Sequence, residues 1–386
     1  MILAIVNRMN MFRKNRSSGR DFVAFPYKII SGVLANSCNK NVLVSPVRIM
    51  SILAFLSRFT DNETKTRIAK VIGLSDESLH VLSGDLWLPS NSYFPWSSEE
   101  YKRQIMIEKS SSVWVNSNIP TSDYFDTVTK EWNFEKVALS LSTDETKQRI
   151  KEYVKKHTHG MIINLNVDLP EIVKAVLVDC IYFKGKWRFT FDSSDTEPDI
   201  FHSITSDETV PFMKVRLIHG YYYTCRTFYA VSLDYRCYCE DRSYSMRIYL
   251  PKNGKSCADV LRIIQERGSG IEFREKPISL CMPRFQISKQ TDLFCVLKDM
   301  NLDISKMPIN ISNDKKEKLI ISEMIQQGLL KVTEKGTEVG MATYSRCFMG
   351  TFRVRYKEIK VNRPFVFEIV ENYSGIRIFA GVVNKI

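Results

Sequence analysis

The sequence predicts one large α+β domain, and three observations carry that reading. Helical patterns crowd the N-terminal part of the chain, and strand patterns then dominate with helices interleaved among them. The stretch Ile172 to Phe183, IVKAVLVDCIYF, is almost unbroken in its apolarity. Such a strand is buried on both faces and lies at the centre of a large sheet. No internal repeat or linker-like stretch divides the 386 residues, although the length alone would allow more than one domain. Residues 1–19 are expected to be a poorly ordered N-terminal extension and residues 20–386 the domain.

The elements follow in order. Residues 20–36 place Phe22, Phe25, Ile29, Val33 and Leu34 at helical spacing. Pro26 is expected early in this helix, where proline is best tolerated. Asn41 to Phe55 reads as a short strand, a Ser45-Pro46 helix start and a buried helix, and Glu63 to Ile72 as a further helix. Residues 76–105 mix Pro, Ser and aromatic residues and read as a loop with one short helix. Ser110 to Asn116 is a strand. Ser142 to Glu145 form a capping box opening a helix to about His157. Ile150 and Val154 mark the core stripe of that helix, and Lys147, Lys151 and Lys155 share another face. Strands are expected at 208–215, 220–235, 244–250 and 277–287. A helix with Val260, Ile263 and Ile264 lies between the last two, and another follows with Leu293, Val296 and Leu297.

Composition narrows the function classes. Apolar content of 44% and charged content of 25% are ordinary globular values. No apolar run is long enough for a transmembrane helix, and six apolar residues before Arg8 are too few for a signal-peptide core. Asn-x-Ser/Thr sequons occur at Asn15, Asn62, Asn310 and Asn372, but such short motifs arise often by chance and leave the compartment open; an extracellular setting is favoured, with a cytoplasmic one as the alternative. The net charge of +12 suits acidic partners, but Lys and Arg are dispersed. A glycosaminoglycan is therefore retained as a partner, whereas nucleic acid and membrane are not. Nine Cys at irregular spacing contain no CxxC pair, so neither a zinc site nor a redox motif is indicated. His157 and His159 flank Thr158 at a helix end, where cationic capping explains them better than a metal. No HExxH, GxSxG, Walker A or GxGxxG motif is present in context, so no catalytic residue, metal or cofactor is expected.

One stretch resists an element reading. Glu334 to Pro364 separates two strand-like segments and has no apolar pattern until Arg353. A long structureless loop in a compact domain is usually functional.

An ordered set of motifs resembles the serpins, a family of large protease inhibitors whose reactive loop lies near the C-terminus. The set runs Asn41 to Pro46, Tyr153 to Ile162, Val178 to Trp187, Phe201 with Val210 to Met213, Ile248 to Pro251, Met282 to Phe285, Glu334 to Glu338, and Asn362 to Phe367. The resemblance covers about Phe22 to Ile386. It implies three β-sheets with a central five-stranded sheet A, about eight or nine helices and an exposed reactive loop near 334–356. It also implies a monomer and a mechanism without catalysis. A serine protease cuts the loop and forms an acyl-enzyme, the freed arm inserts into sheet A, and the protease is distorted before it deacylates. The alternative is a non-inhibitory serpin acting as a binding or carrier module.

The hinge implied by the resemblance is Glu334, Gly336, Thr337, Glu338, Val339, Gly340, Met341, Ala342 and Thr343. Nothing charged or Pro points inward, so insertion is permitted. Val339 and Met341 are bulkier than the family's usual small residues, and overpacking can cost about 1–3 kcal/mol. The family spacing places the cut between Gly350 and Thr351, and a loop surplus of about three residues would move it to Arg353. Arg346 is a third candidate. An Arg at the cut suits a trypsin-like protease; Phe348 or Met349 suits a chymotrypsin- or elastase-like one.

Beneath the opening of sheet A the family commonly has a neutral Ser, Asn and His network. Here the matching positions, beside Ser45, are Arg48, Asp179 and Gln326. A buried unpaired charge is costly, so an Arg48–Asp179 ion pair with Gln326 nearby is expected. Arg353, Arg355 and Lys357 are expected to share one face of a strand after the loop, as a charged edge.

Overall fold

The computed structural model describes residues 18–37, 39–82, 105–139, 142–160, 162, 169, 174–237, 243–267, 271–312, 319–337 and 354–386. Within them lie seven α-helices: α1 (Ser18–Ala35), α2 (Pro46–Leu56), α3 (Asn62–Ile72), α4 (Asp123–Glu131), α5 (Thr143–His157), α6 (Cys257–Arg267) and α7 (Leu293–Asp299).

The centre is a six-stranded sheet. It contains β2 (Ile105–Asn116), β3 (Phe134–Leu139), β4 (Ala175–Lys186), β10 (Phe285–Asp292), β13 (Glu323–Thr333) and the two-residue β14 (Gly336–Thr337). The order is β10-β13-β14-β4-β2-β3, so five full strands surround one short insert. The apolar run read from the sequence is β4, in the interior of this sheet and buried over nearly its whole length.

A nine-stranded sheet packs against it. Its members are β1 (Val42–Val44), β5 (Glu197–His202), β6 (Asp207–Thr224), β7 (Phe228–Asp234), β8 (Tyr244–Pro251), β9 (Arg274–Pro283), β15 (Lys357–Lys360), β16 (Phe365–Glu371) and β17 (Arg377–Val383). The order is β1-β17-β16-β8-β7-β6-β9-β15, with β5 on β6. β11 (Pro308–Ile309) and β12 (Leu319–Ile320) form a separate ribbon.

Local chemistry explains most element ends. The Ser142 hydroxyl accepts from the Glu145 amide, as the capping box predicts. Pro46 opens α2, whose every residue is buried. Three expectations change. Pro26 sits in the middle of the 18-residue α1, because the helix begins earlier. Packing of Phe25, Ile29, Ile30 and Val33 holds the helix through the missing N–H. The strands expected at 208–215 and 220–235 are one long β6, a turn, and β7. A bulge between Leu217 and Gly220 keeps β6 continuous against β9. The strand expected at 277–287 breaks at Arg284 into β9 and β10, which belong to different sheets.

Helix α5 lies on the outer face of the six-stranded sheet. Ile150, Tyr153 and Val154 pack with Trp114, Val176, Val178, Cys180 and Ile325 in a core of their own. Ile150 is fully buried, so Ile150→Ala is expected to cost about 2–5 kcal/mol, measured by chemical denaturation.

Candidate functional site: the opening in the six-stranded sheet

Strands β4 and β13 are parallel neighbours at one end only. Their pairing runs from Glu323 with Val176 to Gln327 with Cys180. Beyond that point the strands part. At the far end β14 sits between them: Thr337 pairs with both Val332 and Gly185, and Gly336 with both Thr333 and Lys186. Strands lie about 4.8 Å apart, so β4 and β13 are separated by roughly 9–10 Å at that level.

Gly336 is required by sterics. Its φ is +146°, and a Cβ there would stand 2.1 Å from the Gly185 carbonyl oxygen. Thr337 is buried, and its hydroxyl lies 2.7 Å from the Tyr235 hydroxyl. Tyr235 is stacked on Trp187 at 4.6 Å between ring centres. Trp187 also fixes the turn before the hinge, since its Nε1 donates to the Thr333 carbonyl at 2.9 Å and its backbone N–H to that of Lys335 at 3.1 Å.

Glu334 anchors the same turn. It accepts from Arg284 Nε at 2.6 Å and from the Thr196 hydroxyl at 2.6 Å. Burial pushes its carboxyl upward, but these hydrogen bonds outweigh burial and hold it below its ordinary value. Arg284 and Thr196 had no sequence signal linking them to Glu334; only the sheet crossing at Arg284 brings them together.

The positions below the opening form two networks. Arg48 Nε donates to Asp179 Oδ1 and Oδ2 at 3.1 and 3.3 Å, and its Nη2 lies 2.5 Å from Oδ1. Ser111 completes the cluster: its hydroxyl donates to Asp179 Oδ1 at 2.9 Å and also meets Arg48 Nη2. Ser111 faces Asp179 across the β2–β4 ladder, a relation that appears only once the register is known. Gln326 is level with Asp179 on β13, but its oxygen accepts from the Ser45 amide at 3.0 Å. The Ser45 hydroxyl donates to the Ile378 carbonyl at 2.7 Å. The thiol of Cys180, next to Asp179, is pushed well up by burial.

Glu338, Val339, Gly340, Met341, Ala342, Thr343, Arg346, Gly350, Thr351 and Arg353 lie outside the described residues. The expected cationic strand after the loop is shorter than the pattern suggested. β15 starts at Lys357, and Arg355 precedes it. Lys357 Nζ stands 5.5 Å from the centre of the Tyr229 ring, a cation–π contact within the fold. Lys151 and Lys155 are exposed on α5 and Lys147 is half-buried. His159 lies 2.7 Å from Glu108, and no metal-ligand cluster exists among the described residues.

Two predictions follow from this geometry. Arg48→Ala strands a buried carboxylate and is expected to cost about 3–5 kcal/mol, whereas Arg48→Met combined with Asp179→Leu is expected to be near neutral, both measured by chemical denaturation. The lowered Glu334 carboxyl contributes stability that is complete above its ordinary pKa of 4.5 and is lost as pH falls through the depressed folded value. Melting temperature is thus expected to fall less steeply with acid in Glu334→Gln than in the parent chain.

The family model described as serpin (serine protease inhibitor) matches residues 22–386. A serine protease inhibitor of Cyanea capillata is 24% identical over 370 residues, covering 92% of this chain and 94% of the relative. The native stressed conformation of Arabidopsis AtSerpin1 superposes with a TM-score of 0.79 at 20% identity, over 96% of this chain and 97% of that one. Thyroxine-binding globulin in complex with thyroxine superposes with a TM-score of 0.76 at 21% identity, over 95% and 98%. With a family model spanning nearly its whole length, and the parted β4 and β13 of a sheet A beneath a buried hinge, the chain belongs to the serpin family.

Proposed function

We propose that the protein is a suicide-substrate inhibitor of serine proteases. The observation that carries this reading is the seating of Gly336 and Thr337 between β4 and β13, with the strands parted below them. An arm released by cleavage beyond the hinge would continue from a strand that is already paired on both sides. It would add backbone hydrogen bonds to two ladders and bury alternate side chains. A protease attached through its acyl group would be carried with the arm.

The cut is proposed within Gly350 to Arg353, with Arg346 as a further candidate, and the Arg positions favour a trypsin-like protease. The exposed Lys151 and Lys155 offer a glycosaminoglycan a place to bind, and the molecule is proposed to act as a monomer. The bulk of Val339 and Met341 supports a second reading, a non-inhibitory binding or carrier module whose loop is simply cleaved.

A panel of serine proteases separates the two. Inhibition gives a denaturant-resistant covalent complex and a cleaved form with raised thermal stability; a carrier gives cleavage with no gain. Mass spectrometry of the released C-terminal peptide identifies the bond. Thr337→Arg would place an unpaired charge in a position now 1% exposed. It is expected to turn an inhibitor into a substrate, with cleavage kept and covalent complex reduced at least about tenfold.

A further inference from the structure

The sequons at Asn62, Asn310 and Asn372 have no part in the inhibitory reading. Such motifs recur by chance, but the fold places these three differently. Asn372, in the turn between β16 and β17, is half-buried and its amide is engaged. Its Nδ2 donates to the Ser243 and Ser245 hydroxyls at 3.1 and 2.6 Å, and its Oδ1 accepts from Arg247 at 3.4 Å. The hydroxyl of Ser374, which completes that sequon, accepts from the Ile376 amide at 3.2 Å. A sugar on this Nδ2 would replace one of its N–H groups and crowd the two serines. Asn62 and Asn310 are exposed, and neither side chain has a hydrogen bond to a described residue.

Asn62 and Asn310 are far apart in sequence but neighbours in the fold. The Asn310 amide donates to the Phe59 carbonyl at 2.7 Å, and α3 starts at Asn62 just beyond. The same end shows apolar surface: Tyr124 is 49% exposed and Ile320 42%. The Tyr124 ring stands 6.0 Å from that of Phe59, and Ser122, which caps α4, donates to the Ile311 carbonyl at 2.8 Å. Ile320 pairs with Pro308 in the β11–β12 ribbon. A sugar beside Asn310 can cover this surface, because its C–H groups rest well on the negative face of an aromatic ring. The hinge lies at the opposite end. Ser322, just after β12, donates to the carbonyl of Ala175 at the start of β4, whereas Gly336 and Thr337 pair with Lys186 and Gly185 at its other end. About ten residues of strand, roughly 33 Å, separate the two levels.

We propose that Asn62 and Asn310 form a paired N-glycosylation site at the pole distal to the hinge, and that Asn372 stays unmodified. In the transfer, Nδ2 attacks C1 of the first N-acetylglucosamine of a polyprenyl-diphosphate-linked oligosaccharide. The N–C1 bond forms, the bond from C1 to the diphosphate oxygen breaks, the polyprenyl diphosphate leaves and the amide gives up one proton. The proposal does not depend on the inhibitory reading.

The test expresses the full chain behind a cleavable secretory leader in eukaryotic cells. Peptides are mapped by mass spectrometry before and after peptide-N-glycosidase, which leaves Asp where a glycosylated Asn stood. Asp is expected at positions 62 and 310, and Asn at 372. On gels, Asn62→Gln and Asn310→Gln are each expected to remove the shift of one glycan, the double variant that of two, and Asn372→Gln none. The map is read on the parent chain, so a variant that fails to fold does not decide the outcome. Asp at position 372, or Asn retained at either 62 or 310, overturns the proposal.

Discussion

The parting of β4 from β13 governs the rest of the structure. Two interior strands of a sheet ordinarily pair along their shared length, because backbone donors and acceptors left without partners are costly. Here the pairing ends at Gln327 and Cys180, and the next paired level is supplied by two residues of another segment. The features around the opening each hold that arrangement. Gly336 permits the close approach to Gly185, Tyr235 and Trp187 hold the hinge from the core side, and Glu334 ties the turn to Arg284.

Elsewhere the fold is tied down by charge rather than parted. Glu368 is fully buried on β16 and accepts from Tyr249 at 2.6 Å, from Tyr27 at 2.8 Å and from Arg377 at 3.2 Å. Arg377 in turn donates to the Tyr27 hydroxyl at 2.8 Å, so α1, β8, β16 and β17 meet at one satisfied network. Removing one member would leave an uncompensated buried charge. The Arg48–Asp179–Ser111 cluster has the same character but sits under the opening, so the charge there borders the part of the sheet that is not closed.

What the sequence revealed depended on whether the determining contacts were local or periodic. The unbroken apolarity of Ile172 to Phe183 was enough to identify the central strand, and Ser142 with Glu145 was enough to start α5. Arg48 and Asp179 could be paired because each would be costly to bury alone. The partners that needed register were invisible: Ser111 reaches Asp179 across a ladder, and Gln326 turns to the Ser45 amide instead of joining the charges. Pro26 falls mid-helix because tertiary packing holds α1 through it. β6 runs on where its pattern suggests a break because a bulge, not a turn, absorbs residues near Gly220. Of the three cations expected to share a face after the loop, Arg353 lies outside the described residues, Arg355 precedes β15, and Lys357 on β15 stands near the Tyr229 ring.

On the inhibitory reading proposed above, the short parallel zone from Glu323 to Gln327 would bear on the timing of insertion. In the register set by Gly336 and Thr337, an arm entering the sheet would first come level with residues 328–331 and 181–184, where β4 and β13 share no pairs. From Ala342 onward each residue would arrive level with a β4–β13 pair that is still closed. The descent then changes character partway, from filling a gap to a strand-exchange reaction in which one ladder is unzipped while two are made. The front would have to cross that boundary beside Asp179, so the speed of capture would be set less by the width of the mouth than by the five rungs closing its lower end.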